Sequence, residues 1–311
     1  MLSQAITLKQ LRALLAVVEH RSLTAAAEGL NQTTPAIHSQ IHKLQDLVGR
    51  PLLVRGADGT GFCLTPAGEA VARAARRIEA NLSQAEAEMA SLSQGYTGHV
   101  RLSVVSTGKY IAPKLVRLLR DQLPQIEVSL RVGNRLQVIA DLEQGLADLA
   151  VMGRPPRVPE VRAEPLGPHP HGIILPPGHR LAQDDGFDPA SLLEEPFLAR
   201  ETGSGTRMLM SRYFDRLAEG AEPKLIIMES NETIKQAVMA GLGIAFLSLH
   251  TCSDELSNGR LIALRGPGLP VMRHWYLVRA VEREPTAATL NLAEKIVALG
   301  GRFLPPSQPP T

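Results

Sequence analysis

The chain has 311 residues, 44% of them hydrophobic and 21% charged, with a formal net charge of +2. That length favours two or three domains, each able to bury a core. The near-neutral balance excludes a protein that grips nucleic acid through bulk charge alone; even the first 65 residues carry only six Lys/Arg against four Asp/Glu. Two cysteines, Cys63 and Cys252, lie too far apart for a disulfide framework or a zinc motif, and are expected to be reduced, partly buried thiols in a cytoplasmic protein.

Near the start, "LRALLAVV" is short, contains Arg12 and runs into Glu19, His20 and Arg21, so it does not read as a signal-peptide core. No run of roughly 18 apolar residues occurs, and no membrane span is expected. Thr7 and Gln10 form a capping-box pattern, and Leu8, Leu11, Leu15 and Val18 recur at helical spacing. "SLTAAAEGL" predicts a short helix that breaks at Asn31-Gln32. Thr33 then caps "TPAIHSQIHKLQDLVG", with Pro35 in the first turn, where a missing N–H costs nothing. Ile37, Ile41, Leu44 and Val48 share one face, leaving a polar N-terminal surface on the others. Helix, tight turn and polar helix make a helix-turn-helix.

"PLLVR" and "GFCLT", joined through Asp58-Gly59, predict a β-hairpin wing. From Pro66 a long helix is expected, on which Val71, Ala75, Ile78, Leu82, Ala85, Met89 and Leu92 alternate by four and three. That spacing is a heptad seam that pairs two copies of the helix; packing of the same stripe on the helix's own domain is the alternative. Beyond Gly95 and Gly98, short β-rich runs alternate with amphipathic stretches, as in an open, mostly parallel α/β sheet. A Pro/His-rich reset at "EPLGPHPHG" suggests two subdomains with a cleft between them, and "LPPSQPPT" a disordered tail.

"LKQLRALLAVVEHRSLTAAAEGLNQTTPAIHSQIHKLQDLVGRPLLVR" and "LTPAG" resemble the DNA-binding half of the LysR-type transcriptional regulators, and the resemblance runs over nearly the whole chain. "GNR" at 133–135, "AVMGRPP" at 150–156, "EPFLARETGSGTR" at 195–207 and "SNETIKQAVMAGLGIAFLS" at 230–248 resemble the branch controlling Calvin-cycle and RuBisCO operons. The resemblance implies a winged helix-turn-helix over 1–65, a coiled-coil linker helix over 66–95, and an effector domain of periplasmic-binding-protein-like α/β fold over 96–300. Residues 301–311 form the tail. It also implies a dimer or a tetramer built as a dimer of dimers, with double-stranded DNA as partner, and it leaves RNA polymerase open as another. Two positions depart from the family: Thr34 stands where Gln is usual and His38 where Ser or Thr is usual. The shorter Thr34 cannot bond an adenine edge bidentately, so a different operator sequence is expected.

At the DNA end, Thr33 and Ser39 can donate to phosphate, while Thr34, Pro35 and His38 can reach base edges or a thymine methyl. His42 shares the polar face, Lys43 suits phosphate, and the resemblance places Arg55 at the adjacent minor groove. In the second half, ligands of parallel sheets bind beyond the carboxyl ends of the strands. Four loops land there and offer Ser106, Thr107, Lys109, Asn134, Arg135, Arg154, Thr202, Ser204, Thr206 and Arg207, joined by Asn231 at another helix start. Cations and hydroxyls in that pattern suit a small anionic effector such as a sugar phosphate, phosphoenolpyruvate or a phosphorylated dinucleotide like NADPH.

No cofactor and no metal are expected; "HPH" at 169–171 offers two imidazoles without a third ligand and reads as a pair of proline-restrained loop histidines. No G-x-S-x-G, P-loop or Rossmann fingerprint occurs, and no base-nucleophile pair marks an enzyme. A regulator with a carboxylate effector and a solute-binding transport protein are the competing readings.

Overall fold

The structure is a computed structural model that describes residues 5–56, 61–94, 98–182, 189–217 and 223–306. The chain divides into two compact units, Met1–Glu86 and Ala87–Thr311.

In the first unit, α1 (Leu8–His20) begins with the capping box read from the sequence: the Gln10 N–H donates to Thr7 Oγ1 at 3.4 Å and the Thr7 N–H to Gln10 Oε1 at 2.8 Å. Next come α2 (Leu23–Gly29), capped by Ser22, and α3 (Thr34–Val48), capped by Thr33 and ended at Gly49 in the left-handed region. Ile37, Ile41 and Leu44 are buried against Leu11, Leu14 and Val17 of α1 and Ala26 of α2. The wing is an antiparallel pair, β1 (Leu53–Arg55) and β2 (Phe62–Leu64), in the register Leu53↔Leu64. Its Asp58-Gly59 turn lies outside the described residues.

α4 (Pro66–Gln94) starts where the Thr65 hydroxyl accepts from the Gly68 N–H at 3.0 Å. Gly68 is required there, because a Cβ would sit 2.0 Å from the Leu52 carbonyl oxygen. The stripe along α4 has two fates. Ala72 and Ala75 are fully buried in the first unit's core and Val71 packs against it, so Val71 and Ala75 serve their own domain rather than a partner helix. Ile78, Leu82, Ala85 and Met89 remain exposed, Ile78 at 39%, Leu82 at 37% and Met89 at 61%. The Leu92 side chain lies outside the described residues.

The second unit carries one nine-stranded sheet in the order β4-β3-β5-β11-β6-β9-β7-β8, with β10 beside β6. Its first half holds β3 (Gly98–Val105), a 3-10 turn over Ser106–Tyr110, α5 (Ala112–Gln122), β4 (Ile126–Gly133), α6 (Arg135–Gln144) and β5 (Leu149–Met152). Then β6 (Val161–Leu175) leads into the second half: β7 (Phe197–Arg200), α7 (Gly205–Leu217), β8 (Leu225–Met228), α8 (Asn231–Met239), β9 (Ile244–Ser248), α9 (Ser253–Ser257) and β10 (Ile262–Ala263). Finally β11 (Val271–Ala280) returns to the first half, where α10 (Ala287–Ala298) buries Ala288, Leu292 and Ile296.

The two halves have separate cores, one around Leu102, Leu115, Val138 and Trp275, the other around Phe197, Phe214 and Phe246 with a further layer at Ile234 and Val238. Within each half the outer strands are parallel, but β6 and β11 run antiparallel to each other, β11 to β5 and β6 to β9. The expected mostly parallel sheet is therefore mixed, because one long strand carries the chain across and another brings it back.

"EPLGPHPHG" is likewise no loop. It lies inside β6, paired with β11 from Ala280↔Val161 to Val271↔His171, with one register shift that passes over Leu166. Pro165, Pro168 and Pro170 lack the N–H that a central strand normally donates, which is why the sequence alone reads as a break. The tail also begins later than expected: Phe303 is 1% exposed and packs with Leu304 in the first core, while 307–311 lie outside the described residues. Of the two thiols, Cys252 is buried and Cys63 exposed rather than partly buried. No helix of the described residues is long and apolar enough to cross a membrane.

Candidate functional site

On the first unit, α3 presents Pro35, His38, Ser39, His42 and Lys43 to solvent, with Thr34 half-buried. The Thr33 hydroxyl accepts from the Ala36 N–H at 3.4 Å, so its oxygen is engaged as the helix cap. His42 Nδ1 lies 2.8 Å from Asp46 Oδ2, leaving His38 and Ser39 as the less committed polar groups of that face. Arg55, at the end of β1, lies over the Phe62 ring at 5.5 Å and is exposed. The ring holds the guanidinium along the wing instead of leaving it to sweep through solvent.

In the second unit a cavity of about 520 Å³ opens where the two halves meet. Six residues singled out from the sequence line it: Ser106 and Thr107 from the turn after β3, Arg135 at the start of α6, Arg154 after β5, and Ser204 and Thr206 at the start of α7. Gly203 makes this last turn possible, with φ of +93° and a Cβ position that would lie 2.6 Å from Leu136 Cδ1.

Five other expected residues are not among the lining. Lys109 pairs with Glu232 at 2.6 Å, and Tyr110 donates to the same carboxylate. Asn134 caps α6 through the Gln137 N–H at 3.0 Å and reaches Glu201 Oε1 at 3.4 Å. Asn231 is buried and accepts from Arg200 at 2.5 Å. Thr202 is exposed beside the turn, and Arg207 lies in the first turn of α7. Asn134 and Arg207 neighbour Arg135 and Thr206 in the sequence, but successive side chains of a turn point in different directions.

The cavity also has residues that loop reasoning missed. Arg212 and Arg216 follow Met208 at steps of four on α7, a spacing that puts all three on one helix face. His169 and His171 of β6 and Arg273 of β11 come from the long crossing strands, with Arg273 directly opposite His169. The histidines alternate along the strand as one face requires, so the signal was present once the segment is read as a strand. No carboxylate lines the cavity among the described residues, against five arginines. Burial, and after it the like charges of Arg154 and Arg212, hold Arg135 below the usual guanidinium range. The arrangement is an uncompensated positive surface that an anion would relieve.

Beneath it lies a neutral aromatic floor. His169 stacks on Trp275 with centroids 3.7 Å apart, and its Nε2 lies 2.9 Å from Ser248 Oγ. His171 Nδ1 lies 3.1 Å from the His169 carbonyl oxygen, and Trp275 Nε1 donates to His250 Nδ1 at 3.1 Å. Burial pushes His171 down to about 4, against the pull of the His169 carbonyl and with help from His250 and Arg273; burial takes His250 to about 4 as well. His169 is held well below an ordinary histidine, by burial and then by His171 and His250.

Because unfolded histidines protonate near 6.5, the unfolded chain takes up protons first as pH falls. Stability from these rings is complete above about 6.5 and is lost as pH drops toward 4. Urea unfolding of the full chain at pH 5.0 is expected to show roughly 2 kcal/mol less stability for each of His171 and His250 than at pH 7.5. Equal midpoints at the two pH values would contradict the burial of neutral rings.

Among the described residues, no group of three or more His, Cys, Asp or Glu side chains could hold a metal ion. Residues 8–69 match the family model of the bacterial regulatory helix-turn-helix protein, lysR family, and residues 93–299 that of the LysR substrate binding domain. The chain is 55% identical over 301 residues to the HTH-type transcriptional regulator CbbR of Cereibacter sphaeroides, covering 97% of each. It is 39% identical to the RuBisCO operon transcriptional regulator of Allochromatium vinosum, over 88% of this chain and 89% of that one. Among solved structures, the regulatory domain of Synechocystis PCC6803 CcmR in complex with 2-PG is similar, with 30% identity and a TM-score of 0.61, over 65% of this chain and 97% of the other.

Proposed function

Since the chain belongs to the LysR family of bacterial helix-turn-helix regulators, we propose that it controls a carbon-fixation operon in response to a small phosphorylated anion bound between the halves of its effector domain. Five arginines and, among the described residues, no carboxylate around the cavity of about 520 Å³ carry the effector part of this reading. The operon part is supported by the kinship with CbbR and with the RuBisCO operon regulator. The protein acts on DNA in the cytoplasm as a dimer or a dimer of dimers, and releases its effector unchanged rather than turning it over.

A ligand in the cavity meets Ser106, Thr107, Arg135 and Arg154 from one half and Ser204, Thr206 and Arg212 from the other. Arg135 is already braced by the carbonyl oxygens of Arg154 and Pro155, so its guanidinium is oriented before a ligand arrives. An anion touching both halves binds best at one closure angle, and so shifts the population toward it. The DNA half provides Thr34, Pro35 and His38 for base edges, and Thr33, Ser39, His42 and Lys43 for the backbone, with Arg55 on the wing.

The direct test is calorimetry on the full chain with 2-phosphoglycolate. The wild type is expected to bind it, and Arg154→Ala to bind at least about tenfold more weakly, since a charge-assisted hydrogen bond contributes about 1.5–3 kcal/mol. Heat with glycolate but not with its phosphate ester would point to a plain carboxylate effector and overturn the phosphate reading.

A further inference from the structure

His171 of β6 sits in the cavity wall with its two ring nitrogens in different situations. Nδ1 faces the His169 carbonyl oxygen at 3.1 Å, and a carbonyl can only accept, so Nδ1 carries the ring's proton. In a neutral imidazole Nε2 is then a bare acceptor. The ring is held neutral by its burial, as described above, and Nε2 has no partner among the described residues.

The backbone around it is fixed from both sides, since His171 pairs with Ser248 of β9 and with Val271 of β11. The ring lies near-parallel to Phe246, centroids 6.1 Å apart. The charged or titratable groups around it are His169 on its own strand, Arg273 from β11 and His250 from the turn after β9. Of these, the Nδ1 of His250 is taken by the Trp275 N–H, and His169 offers His171 only its carbonyl, to Nδ1.

A fully ionised phosphate or carboxylate has oxygen lone pairs only, and would meet the lone pair of Nε2 with repulsion. An alcohol hydroxyl has a proton to give and satisfies it. The five arginines answer the charge of a ligand, but they are donors only and cannot accept the proton of a hydroxyl.

We propose that His171 is a specificity-determining residue of the effector site, accepting a hydrogen bond at Nε2 from an alcohol hydroxyl of the bound anion, so that the effector belongs to the hydroxylated phosphate esters. The proposal rests on the anion-binding reading of the cavity given above. His169 and Trp275 are the positioning residues, the first fixing the tautomer through its carbonyl and the second clamping the His169 ring by stacking.

The test compares two probes on the full chain by calorimetry: 2-phosphoglycolate, and 3-phosphoglycerate, which adds one carbon bearing a hydroxyl. Wild-type protein is expected to prefer 3-phosphoglycerate about tenfold, the contribution of one hydrogen bond. His171→Phe, which keeps a flat ring beside Phe246, is expected to abolish that preference, with the loss falling on 3-phosphoglycerate. Binding of both probes with no preference in the wild type, or equal weakening of both in the variant, overturns the proposal and leaves the anion site intact. Binding of neither probe by the wild type overturns the anion reading itself and this proposal with it.

A measurement without a variant covers the case in which His171→Phe fails to fold. In wild-type protein labelled with ¹⁵N-histidine, the unprotonated Nε2 resonance of His171 is expected to shift on adding 3-phosphoglycerate, toward a hydrogen-bonded acceptor, and not on adding 2-phosphoglycolate. An unmoved resonance, or one that becomes protonated, counts against the hydroxyl contact.

Discussion

Ile78→Glu combined with Leu82→Glu is expected to abolish specific DNA binding in a gel shift, a loss of at least about 100-fold, while the protein stays folded. Affinity for DNA follows the number of phosphates neutralised, and one weakly basic winged helix neutralises few. Pairing two chains through α4 doubles that number and adds a second half-site. Ile78, Leu82, Ala85 and Met89 continue the four-three spacing on an exposed stripe, and each large side chain stabilises a pair by about 1.5–3 kcal/mol when it leaves water. Two carboxylates per chain at the centre of that stripe would remove the gain and add repulsion. Ile78 and Leu82 are not part of the first unit's core, so circular dichroism and the melting temperature should be nearly unchanged. Ala75→Glu is the contrasting case: Ala75 is fully buried, and a charge there should unfold the winged helix. Unchanged gel-shift affinity in the double variant would sink the seam.

Arg200→Met should destabilise the effector half by about 3 kcal/mol in urea unfolding, the low end of the range for breaking a buried ion pair. Its Nη1 donates to Asn231 Oδ1 at 2.5 Å and to Ser106 Oγ at 3.1 Å, while Nε and Nη2 hold Glu201 at 2.7 and 3.0 Å. Ser106 follows β3 in one half, whereas Arg200, Glu201 and Asn231 belong to the other. The guanidinium therefore ties the halves together at the mouth of the cleft. Met fills similar space but leaves Asn231 and Ser106 without this partner and the Glu201 carboxylate uncompensated. Glu201 retains some contact with water, which moderates the cost. Arg200→Lys should recover little, because a single ammonium cannot reproduce a fork that reaches three residues. A change below about 1 kcal/mol for Arg200→Met would contradict the role of this hub.

Arg200 was invisible in the sequence, where "EPFLARETGSGTR" draws attention to the glycines and to Arg207. It became the hub because β7 ends there, between β9 and the edge strand β8, with Arg200 buried, and the side chain has to find partners inside the protein. The opposite happened to Lys109 and Asn134, which the sequence offered as ligands. One is engaged with Glu232 and the other is a helix cap. The same loops did place six residues around the cavity, because strand ends and helix starts in a sheet of this kind open toward a common crevice.

The sequence by itself determined the local elements and the chemistry of the ends. The capping box at Thr7, the buried stripe of α3, the two wing strands and the long α4 all follow from spacing and caps, which act over a few residues. It also determined that the second half would offer cations and hydroxyls at loop ends. Only the tertiary structure decided which of these meet. The turn of α7 brings Arg212 and Arg216 in beside Arg135, and the crossing of β6 and β11 turns a proline-rich stretch into a strand with His169, His171 and Arg273 on one face. The winged-helix core claims Val71 and Ala75 from the stripe of α4 and leaves the rest exposed. The reason is physical: helix and turn signals are local free energies, whereas the lining of a cleft depends on pairings between strands a hundred residues apart.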